Sequence, residues 1–179
     1  PITGNVDQTT HVGVEMSAIV KIFNSLEIFA NASYSKNKIT TGQYFISENE
    51  SIDISNNSIG GFPDFLFNIG VQYNSKEVFL KLYTKYVGEF YSDNFDKNLN
   101  NYLSNYPAFV DYSDNVNDAY FVMDFYGSYN FILFNGFTES KIFIQINNIF
   151  DKLYSAYAIG KEYFPAAERN FIAGIQVGL

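Results

Sequence analysis

The strongest constraint in this chain is a period of two, sustained over long runs and repeated along most of its length. In Phe67-Asn68-Ile69-Gly70-Val71-Gln72-Tyr73-Asn74 every second residue is apolar. Successive side chains of a strand point to opposite faces, so Phe67, Ile69, Val71 and Tyr73 share one face and Asn68, Gly70, Gln72 and Asn74 the other. Val78, Leu80, Leu82, Tyr86 and Phe90 alternate likewise with Lys81, Tyr83, Lys85 and Glu89. Phe121, Met123, Phe125, Tyr129 and Phe131 alternate with Asp118, Tyr120, Asp124, Ser128 and Asn130. Wound into helices, these runs would mix polar and apolar residues around the circumference; as strands they sort by face.

Seven runs carry the pattern, at 10–22, 26–40, 62–75, 77–93, 118–133, 140–156 and 168–179. Several exceed the ~5–6 residues usual for a globular strand. The connections between them alternate. They are short at Asn24-Ser25, Ser75-Lys76 and Asn135-Gly136, long over 41–61 and 94–117, and intermediate over 157–167. All the long connections therefore fall at one end. A transmembrane barrel has that asymmetry, with short periplasmic turns and long external loops; a soluble β-sandwich has no reason for it.

The two faces fit the same reading. Asn31, Ser33, Gln72, Lys81, Lys85, Gln145, Asn147 and Gln176 fall on the inward face, and Ile28, Ala30, Ile69, Leu80, Phe125, Ile144 and Val177 on the outward one. Aromatic residues make up 19% of the chain and gather toward strand ends, at Tyr34, Tyr86, Phe90, Tyr91, Tyr120, Phe131 and Tyr154. Interface girdles require such placement. The expected fold is all-β: an antiparallel transmembrane β-barrel wall of about seven strands.

Seven is an odd number, whereas single-chain bacterial barrels normally have an even one. An open sheet in lipid leaves edge groups unsatisfied at several kcal/mol each. Residues 44–55 read as a further hairpin, but two more strands keep the count odd. A piece of a larger barrel is expected, and a chain opening on Pro1-Ile2-Thr3-Gly4 agrees with that. Other classes are poorly served by the composition. No run approaches the ~20 apolar residues of a membrane helix. There is no cysteine, and 11 basic against 19 acidic residues disfavour nucleic acid as a partner.

The C-terminal part is more specific. Asn147-Asn148-Ile149-Phe150-Asp151-Lys152-Leu153-Tyr154 resembles the Asn-Leu-Phe-Asp-Lys-x-Tyr signature of the penultimate strand of TonB-dependent outer-membrane receptors. Phe164-Pro165-Ala166-Ala167-Glu168-Arg169-Asn170-Phe171 is similar to that family's closing pattern. Gly13-Val14-Glu15 resembles a strand opening, Phe62-Pro63 precedes a descending strand, and Tyr86-Val87-Gly88 with Tyr91-Ser92-Asp93-Asn94 resembles an element of Bacteroidetes-type members. Glu168 stands where the family has Gly, which questions the turn there, and Leu179 stands where it ends on an aromatic.

The resemblance implies that residues 1–179 are the last seven of about 22 strands. It further implies a plug and a TonB box outside these residues, and import of a large scarce solute such as siderophore-bound iron with TonB-supplied energy. The implied location is the cell outer membrane. The implied partners are the lipid bilayer, the protein's own N-terminal barrel and plug, the TonB complex and the iron chelate. The alternative is a small eight-stranded barrel acting as an adhesin or structural surface protein.

Asn148, Phe150, Tyr154 and Arg169 are the motif residues. Asn148 suits a bond to loop backbone, Phe150 and Tyr154 the interface, and Arg169 a pairing with loop carboxylates. Tyr44, Tyr102, Tyr106 and Tyr112, in the long loops, are candidate ligand contacts, because aromatic side chains offer stacking area at low entropic cost. Lys81, Lys85, Glu89, Tyr83, Asp124 and Tyr126 would line the wall facing a plug. No catalytic residue, metal site or cofactor is expected. His11 and Glu15 share a strand face but fall short of a ligand set. The acidic run Asp111–Asp118 lacks calcium-loop spacing and reads as a solvated loop.

Overall fold

The computed structural model describes residues 6–132 and 140–178. Seven strands form one antiparallel sheet: β1 (Gln8–Phe23), β2 (Leu26–Thr41), β5 (Phe65–Asn74), β6 (Val78–Val87), β9 (Tyr120–Phe131), β10 (Ser140–Asn147) and β13 (Asn170–Gln176). Each pairs with the next in that order, leaving β1 and β13 as the two edges. Four further hairpin strands and two short ones lie in the long connections: β3 (Gln43–Ser47) with β4 (Glu50–Asp53), β7 (Phe90–Tyr91) with β8 (Val116–Asn117), and β11 (Ser155–Ile159) with β12 (Glu162–Pro165). A 3-10 turn (Asp96–Asn98) leads into α1 (Leu99–Asn105). The 44–55 hairpin is thus present, but as a sheet of its own that leaves the wall at seven strands. The Asn135-Gly136 turn, Pro1-Ile2-Thr3-Gly4 and Leu179 lie outside the described residues.

Register makes the wall amphipathic across its full width. Val20, Ile28, Val71, Leu82, Phe125, Ile146 and Phe171 stand opposite one another in a continuous row. The adjacent row, one residue along, is Lys21, Glu27, Gln72, Lys81, Tyr126, Gln145 and Ile172. Apolar side chains lie open on the first face even in strands flanked on both sides, Ile69 and Leu80 at 41% and Phe121 at 49% exposure. A continuous apolar surface of this kind is the face that a barrel wall turns to lipid. Tyr34, Phe65, Tyr86 and Phe121 mark its upper margin, and Phe23, Tyr73 and Tyr129 its lower one. From Phe65 to Tyr73 the strand runs roughly 26 Å at ~3.3 Å per residue, close to the ~25 Å apolar band of such barrels. On the opposite face, Phe143 lies across Gly174, where a Cβ would come within 2.7 Å of the ring.

Several boundaries differ from the sequence expectation. The 77–93 run stops at Val87: Gly88 still donates to Phe65 O (2.8 Å), but beyond it Phe90 and Tyr91 pair with Val116 and Asn117 in place of a wall strand. The 140–156 run stops at Asn147, since Asn148 adopts φ 53°. Gly13 lies inside β1, which already begins at Gln8. Phe90, Tyr120 and Tyr154 are not girdle residues. Phe90 and Tyr120 are buried on the inward side with Val87 and Val122, and Tyr154 packs against that cluster.

Candidate functional site

At the end with the long connections, the inward face changes character. Leu66, Val87, Tyr120, Val122 and Ile39 replace the polar residues found lower on the wall. Apolar residues then occupy both faces of the strands, and the inward set must be covered by something other than lipid. The loops cover it. Ile39, fully buried, joins Ile52, Ile54, Phe95 and Leu99 in a cluster contributed by β2, by loop 42–64 and by loop 88–119. The cap so formed folds inward over the mouth of the wall.

Phe95 is its central ring. Tyr44 and Phe109 meet it edge-on at centroid distances of 4.9 and 5.1 Å, and Tyr102 at 5.9 Å. Buried amides tie the loops together around this cluster. Asn57 donates to Asn94 O and to the Tyr102 hydroxyl (both 3.0 Å), and accepts from Asn98 (2.8 Å). Asp96, at φ 48°, accepts from the backbone N–H of Ser58 and of Asn98. Asp93 accepts from Phe95 N (2.8 Å), Asn115 (2.8 Å) and the Tyr112 hydroxyl (2.9 Å). Ser92 and Gly160 bond reciprocally, Ser92 Oγ donating to Gly160 O (2.6 Å) and Gly160 N to Ser92 O (2.9 Å), which fastens the β11–β12 hairpin. Burial pushes the Asp93 carboxyl above the usual carboxylate range, against the pull of its donors. Burial, with the Asp93 charge beside it, drives the Tyr112 phenol far above its ordinary value, so it stays a proton donor.

A cavity of about 520 Å³ opens among these loops, lined by Tyr44, Ile54, Asp93, Tyr112, Tyr157 and Gln43 among others. Its size falls in the range of small-molecule sites. All four loop tyrosines singled out in the sequence pack, half-buried, against the loop core, and of them Tyr44 and Tyr112 line the cavity. Tyr157, Asp93 and Ser92 belong to the site and were not singled out. The recoverable signal was the Asn/Asp-rich loop chemistry at Asn56-Asn57, Asp93-Asn94 and Asn115, the residue types that bond neighbouring backbone.

The motif residues sit at the junction of wall and cap. Asn148, 3% exposed, donates its backbone N–H to Asp124 (2.7 Å), accepts from Lys152 N (2.9 Å) and donates to Lys152 O (2.9 Å) and Ala167 O (3.3 Å). Phe150 is exposed on the lipid side near Phe121, 6.2 Å away, and Tyr154 lies 4.2 Å from Tyr120 on the inward side. Arg169 donates its backbone N–H to Asp151 (2.8 Å) and reaches that carboxylate at 3.8 Å with its guanidinium. Glu168 is not among the positive-φ residues, so the position does not require the glycine of the family pattern.

Below the cap the inward wall is polar. Gln72 donates to Glu27 (2.9 Å), Asn68 to Asn31 (2.8 Å), and Lys81 rests 4.8 Å from the Phe29 ring centroid and 5.1 Å from that of Tyr83. Lys85, Tyr83 and Asp124 line a second hollow of about 400 Å³ beneath Asn148. Tyr126 shares this face, and Glu89 lies just past the strand break, exposed. His11 bonds Asn37 (2.8 Å) and Thr9 (3.1 Å). The carboxylates of 111–118 are spread: Asp111 pairs with Lys161, and Asp114 caps Val116 N (3.1 Å). Among the described residues no group of three or more His, Asp or Glu side chains converges as a metal site.

A family model described as TonB dependent receptor-like, beta-barrel, matches residues 1–149. That span includes Asn148, whereas Phe150, Tyr154 and Arg169 lie beyond it. Among solved structures, the siderophore receptor PiuA of Acinetobacter baumannii is 16% identical with a TM-score of 0.71, over 94% of this chain and 22% of that one. The ferric-preacinetobactin receptor BauA of the same organism is 11% identical at 0.71, over 96% and 22%. The closed form of the ferric-catecholate import receptor Fiu of E. coli K12 is 17% identical at 0.66, over 96% and 21%. The chain thus spans less than a quarter of each. No curated protein matches.

Proposed function

The chain belongs to the TonB-dependent receptor β-barrel family, and from that premise we propose that it forms the C-terminal part of an outer-membrane active transporter. On this reading its seven strands are part of a barrel of about 22, closed by strands outside these residues and filled by a plug that is also outside them. The whole receptor imports a large scarce solute, an iron chelate or similar, with energy passed on by TonB. It is a transporter and not an enzyme. The observation that carries the reading is the division of labour along the wall: a lipid-ready outer face, a polar inner face, and an inward-folded loop cap over one end only.

The reading is tested by uptake of radiolabelled ferric chelates in cells expressing the whole receptor, with and without TonB. Accumulation that requires both is expected. Accumulation unchanged by loss of TonB would contradict it.

A further inference from the structure

The charge of this chain is concentrated in the cap. Loop 42–64 holds Glu48, Glu50, Asp53 and Asp64 and no basic residue. Loop 88–119 sets six carboxylates against Lys97 alone, and 148–169 balances three acids with three bases. These loops carry −4, −5 and 0, together −9 against −8 for the whole chain, so the remainder is close to neutral. Such a field, focused at the mouth of a low-dielectric barrel, repels anions and concentrates cations.

The cavity has the same sign. Among the described residues no Lys, Arg or His lines it. The nearest basic residue in sequence, Lys161 beside Gly160, is paired with Asp111. Asp93 supplies a carboxylate, while Tyr44, Tyr112 and Tyr157 line the cavity with aromatic rings, groups that attract a cation. An anion entering here would find no compensating charge, and an uncompensated buried charge is costly.

We propose that this cavity selects chelates bearing net positive charge, seating a cationic group against Tyr44, Tyr112 and Tyr157 above the Asp93 carboxylate, and that it discriminates against polyanionic chelates. The inference rests on the transporter reading and narrows its solute class.

The test uses the whole receptor in nanodiscs, titrated with ferrioxamine B, a cationic trishydroxamate, and with a ferric tris-catecholate, a polyanion. Binding of the first at least roughly tenfold tighter is expected, with the gap narrowing at high salt because the charges are screened. Gln43→Arg places a cation at an exposed lining position whose side chain bonds only Ser51 among the described residues. It should weaken ferrioxamine B and strengthen the tris-catecholate, each by several fold. Tighter binding of the polyanion by the unmodified receptor, or a Gln43→Arg receptor with unchanged preference, would overturn the charge selection and leave the transporter reading standing. Binding of neither chelate overturns the charge selection, and if ferric-chelate uptake by cells expressing the whole receptor is also unchanged by loss of TonB, the transporter reading falls with it.

Discussion

The wall and the cap are built from the same chain and stabilised in opposite ways. In the wall, apolar side chains of inner strands such as Ile69, Leu80 and Phe121 remain 41–49% exposed, and hydrogen-bond ladders run unbroken through nine or ten consecutive pairs. Its hydrophobic phase is the bilayer. In the cap, regular strands are at most five residues long, yet the buried apolar residues of the described chain lie here, at Ile52, Ile54, Phe90, Phe95, Leu99 and Ala158, or at the rim just below, at Ile39, Val87, Tyr120 and Val122. The cap makes its own core. A membrane wall can leave its side chains outward because lipid satisfies them, while loops in water must bury theirs in one another.

Phe95 is where the cap is most easily separated from the wall. Phe95→Ala removes the ring on which Tyr44, Tyr102 and Phe109 converge, and should cost the cap about 3–5 kcal/mol. The loops should become rapidly cleaved by added protease while the barrel keeps its heat-modifiable migration on gels. Loss of both together would mean that wall and cap do not form independently. The reverse test is Leu82→Arg, which places a charge in mid-strand on the lipid face. It should destabilise the wall by about 2–4 kcal/mol in urea titrations in lipid vesicles, whereas Tyr83→Arg, one residue along, should cost far less.

Asn148 joins the two regions. Asn148→Ala loses the bonds to Lys152 and Ala167 and puts alanine at φ 53°, for an expected cost of about 2–3 kcal/mol. Asn148→Gly, which tolerates the backbone, should recover part of that. Equal melting temperatures for the two variants would show that backbone conformation there is unimportant.

The smallest effect is a pH dependence. Burial raises the Asp93 carboxyl above its unfolded value of ~3.9, so the folded cap holds that proton more tightly than the unfolded chain does. This contribution is fully present below the unfolded value and is lost as pH rises through the raised one. Amide exchange at Phe95 and Ser92 should therefore slow, after correction for intrinsic rates, on acidification toward pH 4. Asp93→Asn should flatten the profile, and a profile identical to that of the unmodified protein would contradict the assignment.

The wall was legible in the sequence because lipid on one side and water on the other impose a strict period of two. Phe67 to Asn74 is the clearest case, and every wall strand overlaps the run read for it. The cap was not legible in the same way. Beyond the 44–55 hairpin its residues follow no sustained period, and Tyr102 and Tyr106, which look like free loop aromatics, are half-buried against the cluster around Ile39 once loop 88–119 folds over it. The clue lay where alternation fails: Phe65-Leu66-Phe67 and Tyr120-Phe121-Val122-Met123 are apolar on both faces, which happens where a second layer covers the strand. The Phe90 and Tyr120 assignments went astray there, since position at a strand end does not distinguish a lipid girdle from a buried rim.

One face of this sheet meets lipid and the other does not. Single cysteines introduced in turn from Val78 to Val87 in the whole receptor, spin-labelled and reconstituted, test this directly through collisional accessibility to oxygen. Accessibility should oscillate with a period of two, high at Val78, Leu80, Leu82, Thr84 and Tyr86 and low at Phe79, Lys81, Tyr83, Lys85 and Val87. A flat profile, or one dominated by water-soluble relaxant on both sets, would contradict it.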